Sequence, residues 1–459
     1  MTAPRLLALA LALLCAFGGR AVRAEEPNPS SAELENLYET VGQLEKRIAE
    51  LESSKSTRSA GGGGGGGGAE WPERLRLSGS ADLNYLQASG SSGEYGLYEQ
   101  SSTQIYDARV FLDANLGSDA RLGDVTVYRD AGFTFEWNVV RLGYAQNNIG
   151  DLYGDLRGLL GYEWLNLEIG RFQIPYGENY LRFGKGRPTD PFIALTASPP
   201  WFWDEGLKLW GKTSNGHFGY VASVTDGEGG LNRENNDSKQ VTLKLTWDPS
   251  EWMHLSASAL RTGSLGSNDS PAFAAVWLGE SIPAAFGSNT GVPSFDHGQE
   301  IADGPNKLRN VVVLGGDAIF QFPDARLWLA GGNASIDSHG PSMYDRNLIY
   351  WLAELTLQLR MITPALAPMY LALRANGLGT YNHDEGYLLD FRYGSSLGYN
   401  MRALDAYAVA LGLPLGDRIV VKAQYALQNI ALVHGIDDPE ILESDKDANF
   451  FGMEIGVKF

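Results

Sequence analysis

Cysteine is nearly absent from this sequence, which has a single one, Cys15, among 459 residues. That cysteine lies in a stretch typical of a secretory signal, in which Arg5 precedes the apolar residues 6–17 and a small-residue cleavage site ends at Ala24. A mature chain beginning at Glu25 would carry no thiol. The sequence therefore excludes disulfides, cysteine nucleophiles and thiolate metal sites from the mature protein.

Long hydrophobic runs are also missing, because the apolar run of the signal is too short to cross a bilayer and no later one approaches eighteen residues. A helical membrane span is therefore not expected. Positive charge is scarce, and the formal net charge is −19. Removing residues 1–24 takes away three arginines and no acid, which lowers the charge to −22. So acidic a chain is a poor partner for nucleic acid, and none is expected.

Patterns that would indicate catalysis are weak. The six histidines are scattered singly, and none has the spacing of metal ligands. Residues 394–398 read Gly-Ser-Ser-Leu-Gly, which matches the pattern of a hydrolase nucleophile elbow. That motif requires a strand, a turn and a helix around the serine, and no helix is predicted here. We therefore expect neither an enzyme nor a metal or cofactor site.

Residues 25–52 contain three heptads. Leu34, Val41 and Ile48 occupy the a positions, and Leu37, Leu44 and Leu51 occupy the d positions. This spacing predicts a short helix that oligomerises as a coiled coil, and it does not distinguish a dimer from a trimer. A single amphipathic helix lying on another surface is the alternative.

A flexible tether follows the heptads. Residues 53–72 include eight consecutive glycines, 61–68, which have no side chains to bury and the highest backbone entropy. The sequence thus predicts four parts: a signal peptide (1–24), a coiled-coil segment (25–52), a glycine-rich linker (53–72) and a large C-terminal domain (73–459).

The C-terminal domain shows apolar residues with a period of two, as expected for strands with one apolar and one polar face. In 75–85, for example, Leu75, Leu77, Leu83 and Tyr85 alternate with polar residues. The same alternation predicts sixteen strands, at 75–85, 106–116, 132–142, 152–160, 164–172, 206–213, 217–225, 239–247, 252–262, 309–320, 326–334, 347–360, 368–377, 402–415, 418–429 and 449–459. The count is even only if 378–401 is one long loop, although 387–393 alone resembles a further strand.

The connections between these strands are of two kinds. Some are short and carry turn residues, at 214–216, 248–250, 322–324 and 416–417. Others are long, at 173–205, 226–238, 263–308, 335–346, 378–401 and 430–448. Short turns at one rim and long loops at the other are typical of a transmembrane antiparallel β-barrel.

The last strand strengthens this interpretation. Phe451, Met453, Ile455, Val457 and Phe459 alternate with glycines and charged residues up to the final position. A last strand ending in phenylalanine resembles those of bacterial outer-membrane barrels. A large soluble β-sandwich or propeller is the alternative architecture.

Three segments carry a more specific resemblance. Residues 167–177 (LEIGRFQIPYG), 206–211 (GLKLWG) and 218–229 (FGYVASVTDGEG) resemble the phosphate-selective porin O/P family. The resemblance implies an outer-membrane porin, trimeric, with sixteen strands per barrel and a third external loop that folds into the pore, here 173–205. Outer-membrane lipid, lipopolysaccharide, further copies of the chain and small hydrophilic solutes are then its expected partners, and the coiled coil lies in the periplasm.

Candidate pore residues follow from the loop and from strand parity. Arg182, Lys185 and Arg187 lie close together in the third loop, and Lys208 and Lys212 follow on the next strand; these five are the candidate constriction and solute-binding residues. Alternation points further cations into the lumen, including Arg74, Arg76, Arg109 and Lys244. An anion path requires such cations at its narrowest point.

The signs of the predicted lumen charges argue against strong anion selectivity. Inward acids, among them Asp82, Asp107, Glu136 and Glu168, nearly balance the inward cations. General passive diffusion of small solutes is therefore favoured over phosphate specificity. A channel for dicarboxylates or other small organic anions is one alternative, and a structural tether between outer membrane and cell wall is another.

Overall fold

The computed structural model describes residues 75–90, 102–141, 148–178, 190–193, 203–226, 239–262, 307–339, 346–379, 401–432 and 446–459. The predicted signal peptide, coiled coil and glycine linker lie outside these residues, and so does the 394–398 motif. No helix in the described ranges is long and apolar enough to cross a membrane.

Sixteen antiparallel strands form a closed barrel, as predicted. They are β1 (Leu75–Gly90), β2 (Ser102–Leu122), β3 (Val125–Arg141), β4 (Asn148–Arg157), β5 (Asn166–Gln173), β6 (Trp203–Lys212), β7 (Phe218–Thr225), β8 (Gln240–Ser250), β9 (Met253–Arg261), β10 (Lys307–Gln321), β11 (Ala325–His339), β12 (Arg346–Gln358), β13 (Tyr370–Gly379), β14 (Met401–Leu415), β15 (Ile419–Leu432) and β16 (Lys446–Lys458). Every strand pairs with its neighbours in sequence, and β13 pairs directly with β14.

The terminal residue helps to close the barrel. Strand β1 pairs with β16, and Ser80 lies opposite Lys458. One residue further, the backbones of Gly79 and Phe459 exchange two hydrogen bonds of 3.0 Å. A Cβ atom at Gly79 would lie only 2.4 Å from the Phe459 ring, so glycine makes room for the terminal aromatic side chain. Closure leaves no unpaired strand edge at this seam.

Strand alternation sorts apolar residues outward and polar residues inward. In β8 the side chains of Val241, Leu243 and Leu245 are exposed on the outside, whereas Thr242 and Lys244 are buried inside the barrel. An apolar outer band with a polar interior is what a barrel in a bilayer requires, because lipid cannot hydrogen-bond to polar side chains.

The short turns and the chain end lie at one rim, here called the short-turn rim. The even-numbered strands end there, at turns such as the one between Lys212 and Phe218. The strands of the hairpin β2–β3 extend beyond the predicted 106–116 and 132–142. Strand β2 continues to Leu122, and β3 begins at Val125. Irregular pairing near Gly117 disrupts the alternation there, which explains why the pattern missed this extension.

Trp328 does not lie at the outer interface, where aromatic residues of transmembrane barrels are enriched. It faces the interior, is 1% exposed, and its Nε1 donates a hydrogen bond of 3.0 Å to Asp317. A tryptophan near a strand end thus does not by itself mark the membrane interface.

We expect an arginine at Leu245 to destabilise the folded barrel in lipid. Leu245 lies near the middle of β8, is 53% exposed and faces outward. An arginine on the lipid face costs about 0–1 kcal/mol near the interface and about 2–4 kcal/mol at the midplane, so the expected cost at Leu245 is at most about 4 kcal/mol. Urea titration of refolding into lipid vesicles measures this cost. Asp417→Arg, in the exposed turn between β14 and β15, is the matched control and should leave stability unchanged.

Candidate functional site

The interior of the barrel is the candidate site, and the connection between β5 and β6 enters it. This connection spans residues 174–202, within the predicted loop 173–205. Two parts of it are described, 174–178 and 190–193, and both contact inward-facing side chains of the barrel wall. We call residues 176–178 the first anchor and residues 190–193 the second anchor.

The first anchor is held by strands β8, β9 and β12. The hydroxyls of Tyr176 and Tyr350 lie 2.9 Å apart. The backbone N–H of Gly177 donates to Ser258 Oγ at 3.0 Å, and Lys244 Nζ donates to the Gly177 carbonyl at 2.8 Å. Gly315 on β10 provides the space, since a Cβ there would lie 2.5 Å from the Tyr176 hydroxyl. The anchor is therefore fixed by both backbone and side-chain hydrogen bonds.

A chain of charged groups extends from the first anchor. Glu178 Oε1 lies 2.5 Å from Lys244 Nζ and 3.0 Å from His254 Nε2. The other ring nitrogen of His254 lies 2.5 Å from Asp248, which in turn is 3.4 Å from Lys212. Burial opposes ionisation of Glu178, but the hydrogen bonds from His254 and Lys244 outweigh it and lower the pKa of this carboxyl below its ordinary value. Glu178 thus binds the wall as a carboxylate.

The second anchor is centred on a buried ion pair. Asp190 lies 2.8 Å from Arg374 on β13, and Arg374 also lies 3.0 Å from Glu354 on β12. The guanidinium carbon of Arg374 is 3.8 Å from the centroid of the Phe192 ring, and the Phe192 N–H donates to Asp190 at 3.0 Å. A single arginine therefore holds both the charge and the aromatic ring of the loop.

Backbone and apolar contacts complete the second anchor. Lys422 Nζ donates to the Phe192 carbonyl at 3.3 Å, and the Ile193 N–H donates to Gln424 at 2.6 Å. Ile193 packs on Phe450 of β16. Burying a side chain such as Phe192 or Ile193 contributes roughly 1.5–3 kcal/mol each. The loop is thus bound by hydrophobic contacts as well as by charge.

The second anchor lies on the wall opposite β5. In a closed ring of sixteen strands, β13 is eight positions from β5 in either direction. Residues that leave β5 and bind β13 must therefore reach the opposite wall. The described parts of the loop narrow the passage on the side of β8–β16.

Several inward-facing cations of the barrel wall have acidic neighbours. Lys208 lies 2.5 Å from Glu168, and Arg109 lies 3.0 Å from Asp107. Other pairs are Arg109 with Glu136, Arg157 with Asp155, and Lys422 with Glu454. These ion pairs agree with the near balance of signs that alternation predicted.

The candidate residues chosen from the sequence have different positions. Arg182, Lys185, Arg187 and Arg74 lie outside the described residues. Lys244 belongs to the first anchor, Lys208 is paired with Glu168, and Arg109 is buried between acids. Lys212 lies at the short-turn rim and joins the charged chain through Asp248. Arg76 lies opposite Asp113 in the β1–β2 register.

Several residues of the anchors were not chosen from the sequence. Tyr176, Phe192 and Arg374 hold the loop, yet only strand parity pointed to Arg374, as one inward cation among many. The loop did carry a signal, because Phe192 and Ile193 are adjacent apolar residues between polar segments. Within the described ranges, no three acidic, histidine or cysteine side chains are grouped so as to hold a metal ion.

No known family profile matches the chain, and no curated protein matches its sequence. Solved structures match its fold. The outer membrane channel DcaP of Acinetobacter baumannii aligns with a TM-score of 0.52 and 10% identity over 84% of this chain and 97% of that chain. An anion-selective porin from Comamonas acidovorans has a TM-score of 0.50 and 10% identity over 84% and 99%. OmpT of Vibrio cholerae aligns with a TM-score of 0.50 and 10% identity over 84% of this chain and 97% of that chain. The chain has the fold of outer-membrane porins.

Proposed function

We propose that this protein is an outer-membrane porin through which small hydrophilic solutes diffuse passively. The observation that carries this proposal is the connection between β5 and β6, whose described parts are anchored inside the barrel at 176–178 and 190–193. A soluble barrel with a filled core has no need of a buried polar loop fixed by ion pairs. A channel does, because a fixed constriction decides which solutes pass.

The surroundings that we propose follow from the barrel surface. Its apolar outer band would lie in the lipid of the outer membrane and contact lipopolysaccharide at the long-loop rim. The short-turn rim would face the periplasm, where residues 25–52 would form an oligomerising coiled coil on the linker 53–72. A trimer, implied by the family resemblance, is the assembly that we propose.

We propose that the channel discriminates only weakly between anions and cations. Inward cations such as Lys208, Arg109 and Lys422 lie beside carboxylates, so they do not form a ladder of one sign. Phosphate specificity would require a dominant contribution from Arg182, Lys185 and Arg187. The anion-selective porin with the same fold makes a modest anion preference the direction to test.

The test is the reversal potential of the purified protein in a planar bilayer under a KCl gradient. We expect stable ion-conducting steps with a reversal potential close to zero, and little block by added phosphate. Strong anion selectivity with phosphate block, lost in an Arg182→Gln/Lys185→Gln/Arg187→Gln variant, would instead establish the phosphate-specific form. The heat-modifiable mobility of the barrel on SDS gels shows whether it is folded. An absence of conductance from folded protein would contradict the channel proposal.

A further inference from the structure

A cavity of about 250 Å³ lies on the short-turn side of the second anchor. Asp190 and Pro191 of the loop form one side of it, and residues at the ends of β10 to β13 and in the β10–β11 turn form the other. This volume is below the range of about 300–1,000 Å³ typical of drug-sized ligand sites, so it suits a small solute.

One arginine supplies the cavity with a positively charged hydrogen-bonding group. Arg326 lies opposite Gln321 on β10 and Thr356 on β12, so these three polar side chains form one row across three strands. The guanidinium carbon of Arg326 is 5.1 Å from the centroid of the Trp328 ring, which is itself fixed by its hydrogen bond to Asp317. An arginine has five N–H donors in a planar fork that matches a carboxylate, and five donors can serve more than one partner at once.

Neutral polar groups also line the cavity, beside Pro323 and Ala325. Gln358 on β12 lies opposite Tyr370 on β13. The Tyr370 hydroxyl donates to the Pro191 carbonyl at 3.2 Å, which leaves its oxygen as an acceptor. Carboxamides and hydroxyls of this kind both donate and accept, so they are suited to the hydroxyl groups of a solute.

The opposite side of the cavity disfavours a second negative charge. Asp190 lies there as a buried acid, bound by Arg374 and by the Phe192 N–H. A ligand carboxylate at Arg326 would be attracted, whereas a second carboxylate near Asp190 would meet a like charge in a region of low dielectric. The arrangement therefore selects one carboxylate together with hydroxyl groups.

We propose that this cavity is a binding site for hydroxylated monocarboxylates of the sugar-acid class. Arg326 binds the carboxylate, and Gln321, Thr356, Gln358 and Tyr370 bind the hydroxyls. The proposal rests on the proposed porin function and adds a solute-binding site on the short-turn side of the loop.

The experiment is calorimetric titration of the detergent-purified full chain with gluconate and, separately, with succinate. We expect gluconate to bind more tightly than succinate. Arg326→Gln should weaken gluconate binding by about tenfold or more, the loss of one charge-assisted contact. Gln358→Leu, which keeps the charge, should weaken gluconate binding but leave succinate binding unchanged. Arg157→Gln, a pore-side arginine of the same rim on the other wall, is the control and should have no effect.

Equal weakening by Arg326→Gln and Arg157→Gln would overturn the proposal, because general electrostatics of the mouth would then explain binding. Succinate binding as tight as that of gluconate would overturn the proposed ligand class. The planar bilayer separates this proposal from the porin function. Conductance without gluconate binding would contradict the binding-site proposal and support the porin function. Gluconate binding without conductance would contradict the porin function and support the binding site.

Discussion

Replacing Asp190 with alanine is expected to release the second anchor and to raise the single-channel conductance. Asp190 and Arg374 are both almost fully buried where they meet, at 2.8 Å. The substitution removes a charge-assisted hydrogen bond and also the acceptor of the Phe192 N–H. Together these losses amount to about 2–4 kcal/mol, which shifts the equilibrium between bound and released loop by roughly thirty-fold to several-hundred-fold.

The barrel wall should survive this substitution, which is why the aspartate is the side to change. Arg374 keeps its second partner, Glu354, at 3.0 Å, so no buried charge is left alone on the wall. Removing the arginine would instead leave two buried carboxylates without their cation. That loss costs about 3–5 kcal/mol and endangers folding. Asp190→Ala therefore tests the loop rather than the fold.

Conductance and current noise in planar bilayers measure the outcome. We expect larger and noisier open-channel currents for Asp190→Ala. Asp155→Ala is the matched control, because Asp155 is also an inward acid paired with an arginine, but its partner Arg157 lies on β4, away from the second anchor. Equal changes in the two variants would mean that the lumen responds to lost negative charge and not to a released loop.

The barrel itself could be predicted from the sequence because its determinants are local. Strand parity, turn residues and the terminal alternation each depend on neighbouring residues, and the even count of sixteen strands followed once 378–401 was taken as one loop. Closure at Gly79 and Phe459 agrees with that count. The failures were also local, since the irregular pairing near Gly117 hid the extension of β2 and β3.

The anchors could not be predicted, because their partners are distant in sequence. Asp190 binds Arg374, 184 positions away, and Glu178 binds His254, 76 positions away. Alternation predicts that an arginine faces the lumen, but not which residue of a long loop will reach it. The height of each strand in the barrel and the path of the loop together bring these groups into contact, and neither is encoded in a short pattern.

Replacing Lys244 with methionine is expected to loosen the first anchor at neutral pH. Lys244 is buried and lies 2.5 Å from Glu178, and it also donates to the Gly177 carbonyl. Removing one member of a buried ion pair leaves an uncompensated charge, at a cost of about 3–5 kcal/mol. His254 remains beside Glu178, but it also contacts Asp248, so two carboxylates then share one imidazole. The expected result is increased current noise from a loop that detaches at 176–178.

The stability of the first anchor should depend on pH with opposite signs in the wild type and in Lys244→Met. In the wild type the pKa of Glu178 is lowered by its hydrogen bonds. The stabilisation is therefore complete above the ordinary glutamate value of about 4.3 and is lost as the pH falls through the lowered pKa. In Lys244→Met, acidification instead neutralises the uncompensated Glu178 carboxylate by protonating it. With Asp248 and Asp317 nearby as the other acids, that proton reduces the repulsion and restores the anchor.

Open-channel current noise recorded between neutral pH and the acid limit of the bilayer distinguishes the two signs. The wild type should become noisier only at the most acid end, whereas Lys244→Met should be noisiest at neutral pH and become quieter as the pH falls. Arg157→Met, which removes an inward cation far from the first anchor, should follow the wild-type profile. If Lys244→Met grew noisier with acid, as the wild type does, Lys244 would not be the counter-charge that holds Glu178 against the wall.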